Sequence, residues 1–137
     1  LMMSSFRGMI RAYADGGHMR HTITEIIHKL NKNSCDECRD GEFITLFYAI
    51  LNAKDMTLTY CNCGHEPTLL WRNGKIRELS KGGLVLGVAR DAEYEIEKIE
   101  LQDNDRLLFF TDGLVDAVRG PRRGILGHLV GGRRAVR

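Results

Sequence analysis

The sequence predicts an α+β fold, with helices packed on an antiparallel sheet or sandwich. Three observations carry that expectation. Before residue 31 the apolar residues recur at helical spacing, whereas after residue 41 they come in short β-branched, aromatic or alternating runs. The changeover falls in a polar stretch, "NSCDECRDG". Turn-forming pairs then divide the remainder into six or seven runs of strand length.

Met2, Phe6, Met9 and Tyr13 are spaced by three and four, with Met3 and Ile10 alongside. They predict a first helix with one apolar face, ending at Gly16-Gly17. Thr22-Ile23-Thr24-Glu25 fits a capping box, in which Thr22 accepts from the helix start and Glu25 reaches back. Ile23, Ile26, Ile27 and Leu30 follow on one side of that second helix, and the short glycine-rich link predicts an antiparallel pair. The polar stretch beyond it reads as a loop that exposes Cys35 and Cys38.

"FITLFYAIL" (43–51) is apolar almost throughout, the pattern of a strand covered on both faces. "NAKD" is a turn, followed by strands over "MTLTYCN" (56–62) and "PTLLWR" (67–72). Asn73-Gly74 suits a type I′ hairpin into "KIREL" (75–79). "LVLGV" (84–88), "YEIEKIEL" (94–101) and "RLLFF" (106–110) complete the set, the second of them alternating as if one face were wet.

At 137 residues the chain is one domain or a large piece of one, with 43% hydrophobic and 28% charged residues. No apolar run approaches the ~18 residues of a spanning helix, and no basic-then-apolar leader opens the chain. It starts "LMMSSFRGMIRAYA", already helical in pattern, and is expected to begin inside a domain. The net charge of +2 conceals an asymmetry: all 18 acidic residues precede residue 119, while residues 119–137 hold six Arg and no acid. An anion-binding arm is one reading of that tail. It contains no aromatic residue to stack on bases, so no nucleic-acid partner is expected.

Four residue sets bear on chemistry. Cys35-x-x-Cys38 and Cys61-x-Cys63 together offer four thiolates to zinc, although the spacing is not that of a common zinc ribbon. His65, in "NCGHEP", is expected to fix a turn rather than to catalyse. His18, His21 and His28 lack a ligand spacing, and neither a phosphate-binding glycine loop nor a Ser or Cys nucleophile motif occurs. Asp112 ends an apolar run in "FFTDG", where a carboxylate serves as turn residue, helix cap or cation ligand. Asp116 lies four residues on, so a helix starting at Gly113 would place both carboxylates near one side.

The ordered segments "GEFITLFYAIL", "LTYCNCGHEPTLLWRNGKIREL", "GGLVLGV" and "LQDNDRLLFFTDGLVDA", after a helix pair containing "KLN", resemble the bacterial stage II sporulation protein E-type branch of the metal-dependent protein phosphatases. The resemblance spans residues 1–118. It implies a sandwich of two antiparallel sheets flanked by helix pairs. It also implies hydrolysis of phosphoserine or phosphothreonine, on substrates such as anti-sigma-factor antagonists, in the cytoplasm. By the same resemblance Asp112 matches an aspartate that ligates Mn²⁺ or Mg²⁺ at the end of a core strand, one greasy because it is buried. In such a centre two ions about 3.5–4 Å apart lower the pKa of a shared water from ~15.7 towards ~7.

The acidic segments that the family places upstream and its final aspartate are missing, so metal binding by this chain alone is expected to be weak. Two function classes stand: a phosphatase whose activity belongs to a larger domain, and a non-catalytic fragment or binding module with a four-cysteine zinc site. A dimer through the helix pair is a further expectation. Residues 119–137 are expected to be a tail without a selected fold. One codon choice for "GILGH" (124–128), read one base later, encodes Glu-Phe-Leu-Gly-Thr, close to what the family places there.

Overall fold

A computed structural model describes residues 22–111 of the chain. The first predicted helix and the basic tail lie outside them. The described elements, in chain order, are helix α1 (Ile23–Glu37) and strands β1 (Leu46–Asn52), β2 (Thr57–Cys63), β3 (Thr68–Arg72), β4 (Lys75–Leu79), β5 (Gly82–Gly83), β6 (Glu97–Glu100) and β7 (Arg106–Leu108). The class is α+β, as the alternation of patterns predicts.

The capping box forms as expected. Thr22 N–H donates to the Glu25 carboxylate at 2.9 Å, and Thr22 Oγ1 accepts from Glu25 N–H at 3.3 Å. Helix α1 extends further than its sequence suggests, however, and takes in Cys35 instead of leaving it in a loop. The polar residues after Leu30 do not end the helix because two of them are used inward. Asn31 and Ser34 are both buried, and the Ser34 hydroxyl donates to the Leu30 carbonyl at 2.8 Å.

β1 and β2 form the central hairpin, with Tyr48 opposite Cys61 and Ala49 opposite Tyr60. Alternation then decides which way each side chain goes. Tyr48, Cys61 and Cys63 face α1 and join Ile23, Ile26, Ile27 and Leu30 in one core. Leu58 and Tyr60 face the other way and meet Leu70, Leu79 and Ile99 in a second core, between the sheets. Ile26, Ile27, Leu30 and Tyr60 are fully enclosed. Each such aliphatic side chain contributes roughly 1.5–3 kcal/mol.

The second sheet has the order β4-β3-β7, antiparallel throughout. Its hairpin turns at Asn73 and Gly74, with φ of 50° and 76°, the two positive values that a type I′ turn requires. Asp105 is clasped by Arg72 from β3, whose Nε and Nη2 reach its two oxygens at 2.9 and 2.6 Å. Arg72 Nη2 also donates to the Glu100 carbonyl at 2.8 Å, tying the β6–β7 link to the sheet.

Three strand expectations are corrected. "LVLGV" is not a strand. Gly82-Gly83 pairs instead, parallel to β2 at Asn62-Cys63, making the first sheet mixed. From the run 84–88 only Leu86 is buried, through a bridge to Ile44, while Leu84 and Val88 stay exposed. "YEIEKIEL" has no single wet face: Tyr94 and Ile96 join the α1 core, whereas Ile99 and Leu101 join the inter-sheet core. Finally, β7 is not enclosed among the described residues, with Leu108 37% and Phe109 56% exposed. It is an end strand of its sheet there; Leu107 packs against the inter-sheet core, and Phe109 meets Phe47 only by an edge contact, centroids 5.8 Å apart.

Candidate active-site cleft

β2 has to end at Cys63 because Gly64, with φ of 68°, turns the chain out of the first sheet towards the second. Asn62 holds that turn. Its Oδ1 accepts from His65 N–H at 2.8 Å, and its Nδ2 donates to the His65 carbonyl at 3.0 Å. The His65 ring is fixed as well, since Nδ1 lies 2.9 Å from the Glu66 carbonyl and must be the protonated nitrogen to bond with it. Histidine as a turn-fixing residue is therefore what the structure places at 65, although Asn62 does most of the fixing.

Around this turn lies a cleft of about 290 Å³, lined by Asn62, Gly64, His65, Glu66, Pro67, Ser80 and Gly83. Four elements meet at it: the end of β2, the start of β3, the residue after β4, and β5. The lining offers an imidazole, a carboxylate, a hydroxyl and backbone groups, a set suited to a polar ligand rather than an apolar one. β5 closes against β2 without a gap, as a Cβ on Gly82 would stand 1.7 Å from the Asn62 carbonyl oxygen.

β7 bears on the same cleft. It runs antiparallel to β3, with Leu108 opposite Leu69 and Leu107 opposite Leu70. Its C-terminal end therefore points back to the start of β3, where Pro67 and Glu66 line the cleft. Asp112 and Asp116 follow that end and lie outside the described residues.

The cysteines do not assemble as a four-thiolate site. Cys61 and Cys63 are fully buried on the α1 side of β2 with their sulfurs 3.8 Å apart. Cys35 sits on α1 and Cys38 caps it, both half-buried rather than exposed in a loop. Among the described residues no three His, Cys, Asp or Glu side chains come together to hold a metal ion. The four-cysteine zinc alternative thus finds no support among the described residues, where Cys61 and Cys63 are packed in the core. Strand alternation brings two thiols together, but the four do not converge as a ligand set. Burial first, then the nearby Glu42, raises the Cys38 pKa, so this thiol is not an activated one.

His28 lies on α1 with its ring edge against Tyr94, centroids 5.8 Å apart, while His18 and His21 fall outside the described residues. Sequence reasoning passed over Asn62 and Ser80. The Asn before Cys-Gly was a readable signal, because asparagine side chains commonly bond to backbone a few residues on. Ser80 carried none, since only the fold brings it to the cleft. Among the described residues no helix is long and apolar enough to cross a membrane.

Comparison with known proteins fits this architecture. The family model described as Stage II sporulation protein E (SpoIIE) matches residues 1–130. Phosphoserine phosphatase RsbU of Bacillus subtilis (strain 168) is 30% identical over 95 residues, 68% of this chain and 28% of that protein. Phosphoserine phosphatase RsbP of the same organism is 28% identical over 92 residues, 66% of this chain and 22% of that protein. This chain thus spans about a quarter of the length of these relatives.

Among solved structures, the RsbU and RsbW domains of Rv1364c from Mycobacterium tuberculosis superpose with a TM-score of 0.70 at 24% identity. The match covers 83% of this chain and 32% of that one. The PP2C phosphatase domain of SpoIIE from Bacillus subtilis, solved with a fragment of its regulatory domain, gives 0.66 at 15% identity. It covers 84% of this chain and 35% of that one. These two likenesses bear on the fold. With the family model matching nearly the whole length, the chain belongs to the stage II sporulation protein E (SpoIIE) family.

Proposed function

We propose that this chain is part of a metal-dependent protein phosphatase that hydrolyses phosphoserine or phosphothreonine. The observation that carries the reading is the pairing of β7 with β3, which directs the chain at Phe110-Thr111 towards the polar cleft at Asn62–Pro67. Family membership and the two phosphoserine phosphatase relatives support the same reaction class.

The described residues do not by themselves fit a two-metal centre, since no cluster of three ligating side chains occurs among them. The carboxylates that a hard cation needs must come from elsewhere, Asp112 and Asp116 of this chain being two of them. When bound, Mn²⁺ or Mg²⁺ would supply a water acidic enough to act as nucleophile near pH 7. The part played by the described residues is to shape the cleft. Asn62 holds the His65 turn, and Ser80 and Gly83 form the facing wall.

The remaining expectations follow as parts of this proposal. The substrate is a phosphorylated protein of the anti-sigma-factor antagonist type, the location is cytoplasmic, and the helix pair forms a dimer contact. Residues 1–118 belong to the phosphatase domain and residues 119–137 are a basic tail, into which the family match extends as far as residue 130.

Isothermal titration of this chain with Mn²⁺ should show only weak binding. In the longer protein that carries the remaining ligands, Asp112→Asn should remove most hydrolysis of p-nitrophenyl phosphate. Near-normal turnover in that variant would take Asp112 out of the site.

A further inference from the structure

Asn31 is fully buried on the sheet-facing side of α1, an unusual place for a carboxamide unless its hydrogen bonds are met. They are met by one turn of chain far away in sequence. Oδ1 accepts from Gly87 N–H at 3.1 Å, while Nδ2 donates to the Ala89 carbonyl at 2.8 Å and the Arg90 carbonyl at 3.4 Å. Because the turn offers one N–H and two carbonyls, the orientation of the amide is determined, and both of its ends are used.

The same turn is seated closely on the helix. Gly87 has a φ of 92°, and a Cβ there would stand 2.9 Å from Cys38 Sγ. Arg90 also pairs with Asp36 at the surface, a contact that contributes little because both partners are more than half exposed.

This turn is the tip of a segment that forms one wall of the cleft. The segment leaves the wall at Gly83 and returns to bridge the same residue at Tyr94. Glu95 N–H donates to the Gly82 carbonyl at 3.0 Å, and midway Leu86 and Ile44 exchange backbone bonds at 2.8 and 2.9 Å. Between the tip and Gly82-Gly83 the segment is thus held by paired backbone, with little slack chain.

We propose that Asn31 is a positioning residue for the cleft: its carboxamide locks the Gly87–Arg90 turn to α1, and that lock sets where the Gly82-Gly83 wall stands. For an effect on catalysis the proposal rests on the phosphatase reading above. Its structural content does not.

Amide spectra of the full chain, wild type against Asn31→Ala and Asn31→Asp, test it. In Asn31→Ala the amide signals of Gly87, Ala89 and Gly83 should all move. In Asn31→Asp they should be displaced at pH 8 and return towards wild-type positions by pH 5, because the protonated carboxyl regains a donor for Ala89. The other titratable side chains around the lock are the Cys35 thiol, 3.9 Å from Oδ1, the His28 ring packed on Tyr94, and Asp36, paired with Arg90, so Cys35→Ser, His28→Gln and Asp36→Asn in the same background should each leave that return intact. A Gly83 signal that stays put in both variants while Gly87 moves would overturn the proposal. So would loss of the fold in both variants at every pH, which would make Asn31 a stability residue only.

In the longer phosphatase, Asn31→Ala should lower kcat for p-nitrophenyl phosphate by about tenfold or more with KM within about twofold. An equal loss through KM alone would count against positioning. A wild-type protein without turnover would refute the phosphatase reading and leave the amide result to decide the proposal.

Discussion

Gly82→Ala is the substitution whose effect follows most directly from the geometry. At a compatible site, replacing Gly by Ala stabilises a protein by about 0.4–1 kcal/mol, because the unfolded chain loses freedom. Here the sign should reverse. The added Cβ would meet Asn62 O at 1.7 Å, its carbonyl carbon at 2.5 Å and its nitrogen at 2.6 Å. All three are backbone atoms of the central strand, so no side chain can rotate away. Real Cβ contacts stay beyond 3.0 Å, and β5 would have to move off β2 by more than an ångström.

That movement breaks the parallel pairing at Asn62-Gly82 and stretches the Asn62 N–H bond to the Lys81 carbonyl, now 2.8 Å. Overpacking costs about 1–3 kcal/mol, and a backbone donor left without its partner costs about 1–3 kcal/mol more. A destabilisation of about 3 kcal/mol is expected. Urea unfolding followed by the fluorescence of Trp71, the only tryptophan in the chain, would measure it. A loss below about 1 kcal/mol would mean that β5 is not seated on β2, and the cleft wall would have to be redrawn.

Three further outcomes are expected. The bidentate bond from Arg72 holds the Asp105 carboxyl down to about 2, against roughly 3.9 in an unfolded chain, so its stabilisation is complete above about pH 4 and is lost as pH falls to about 2. Between pH 4.5 and 2.5 the urea midpoint of Asp105→Asn should fall less than that of the wild type, and parallel curves would remove the clasp from the account. Burial first, then the hydrogen bond to Glu97, pushes the Tyr60 hydroxyl up to about 12, so this group costs stability as pH rises from about 10 to about 12. Tyr60→Phe should lose about 0.5–1.5 kcal/mol at pH 7, and the gap should close by pH 11; a constant gap would show that the hydroxyl is not protected. A chromogenic disulfide reagent should modify Cys35 and Cys38 in the native chain and reach Cys61 and Cys63 only on unfolding, whereas early reaction of all four thiols would contradict the packing of β2 on α1.

What could be read from the sequence shares one physical feature: the partners lie within a few residues. The Thr22–Glu25 capping box closes over three residues, and the Asn73-Gly74 turn is dictated by the φ angles of its own two residues. Alternation along β2 likewise predicts that Cys61 and Cys63 share a face, because a strand imposes that locally. The helix-then-strand order follows from the same short-range periodicity, and with it the α+β class.

The misread elements all depend on distant partners. "NSCDECRDG" looks like a loop until Asn31, two residues before it, is seen bonding to residues 56 to 59 positions away, which keeps that turn of the helix against the core. "LVLGV" has the composition of a strand, but β2 has room there only for backbone without side chains, so the glycines before it pair instead. "YEIEKIEL" alternates, yet it has no single wet face, because Tyr94 and Ile96 meet the α1 core while Ile99 and Leu101 meet the core between the sheets. The cleft is the extreme case, since Ser80 and Gly83 reach the Asn62–His65 turn only when the chain after β4 folds back along β2. Local backbone preferences can be written into adjacent residues. A site assembled across sheets cannot, because the packing that creates it is specified by the whole chain at once.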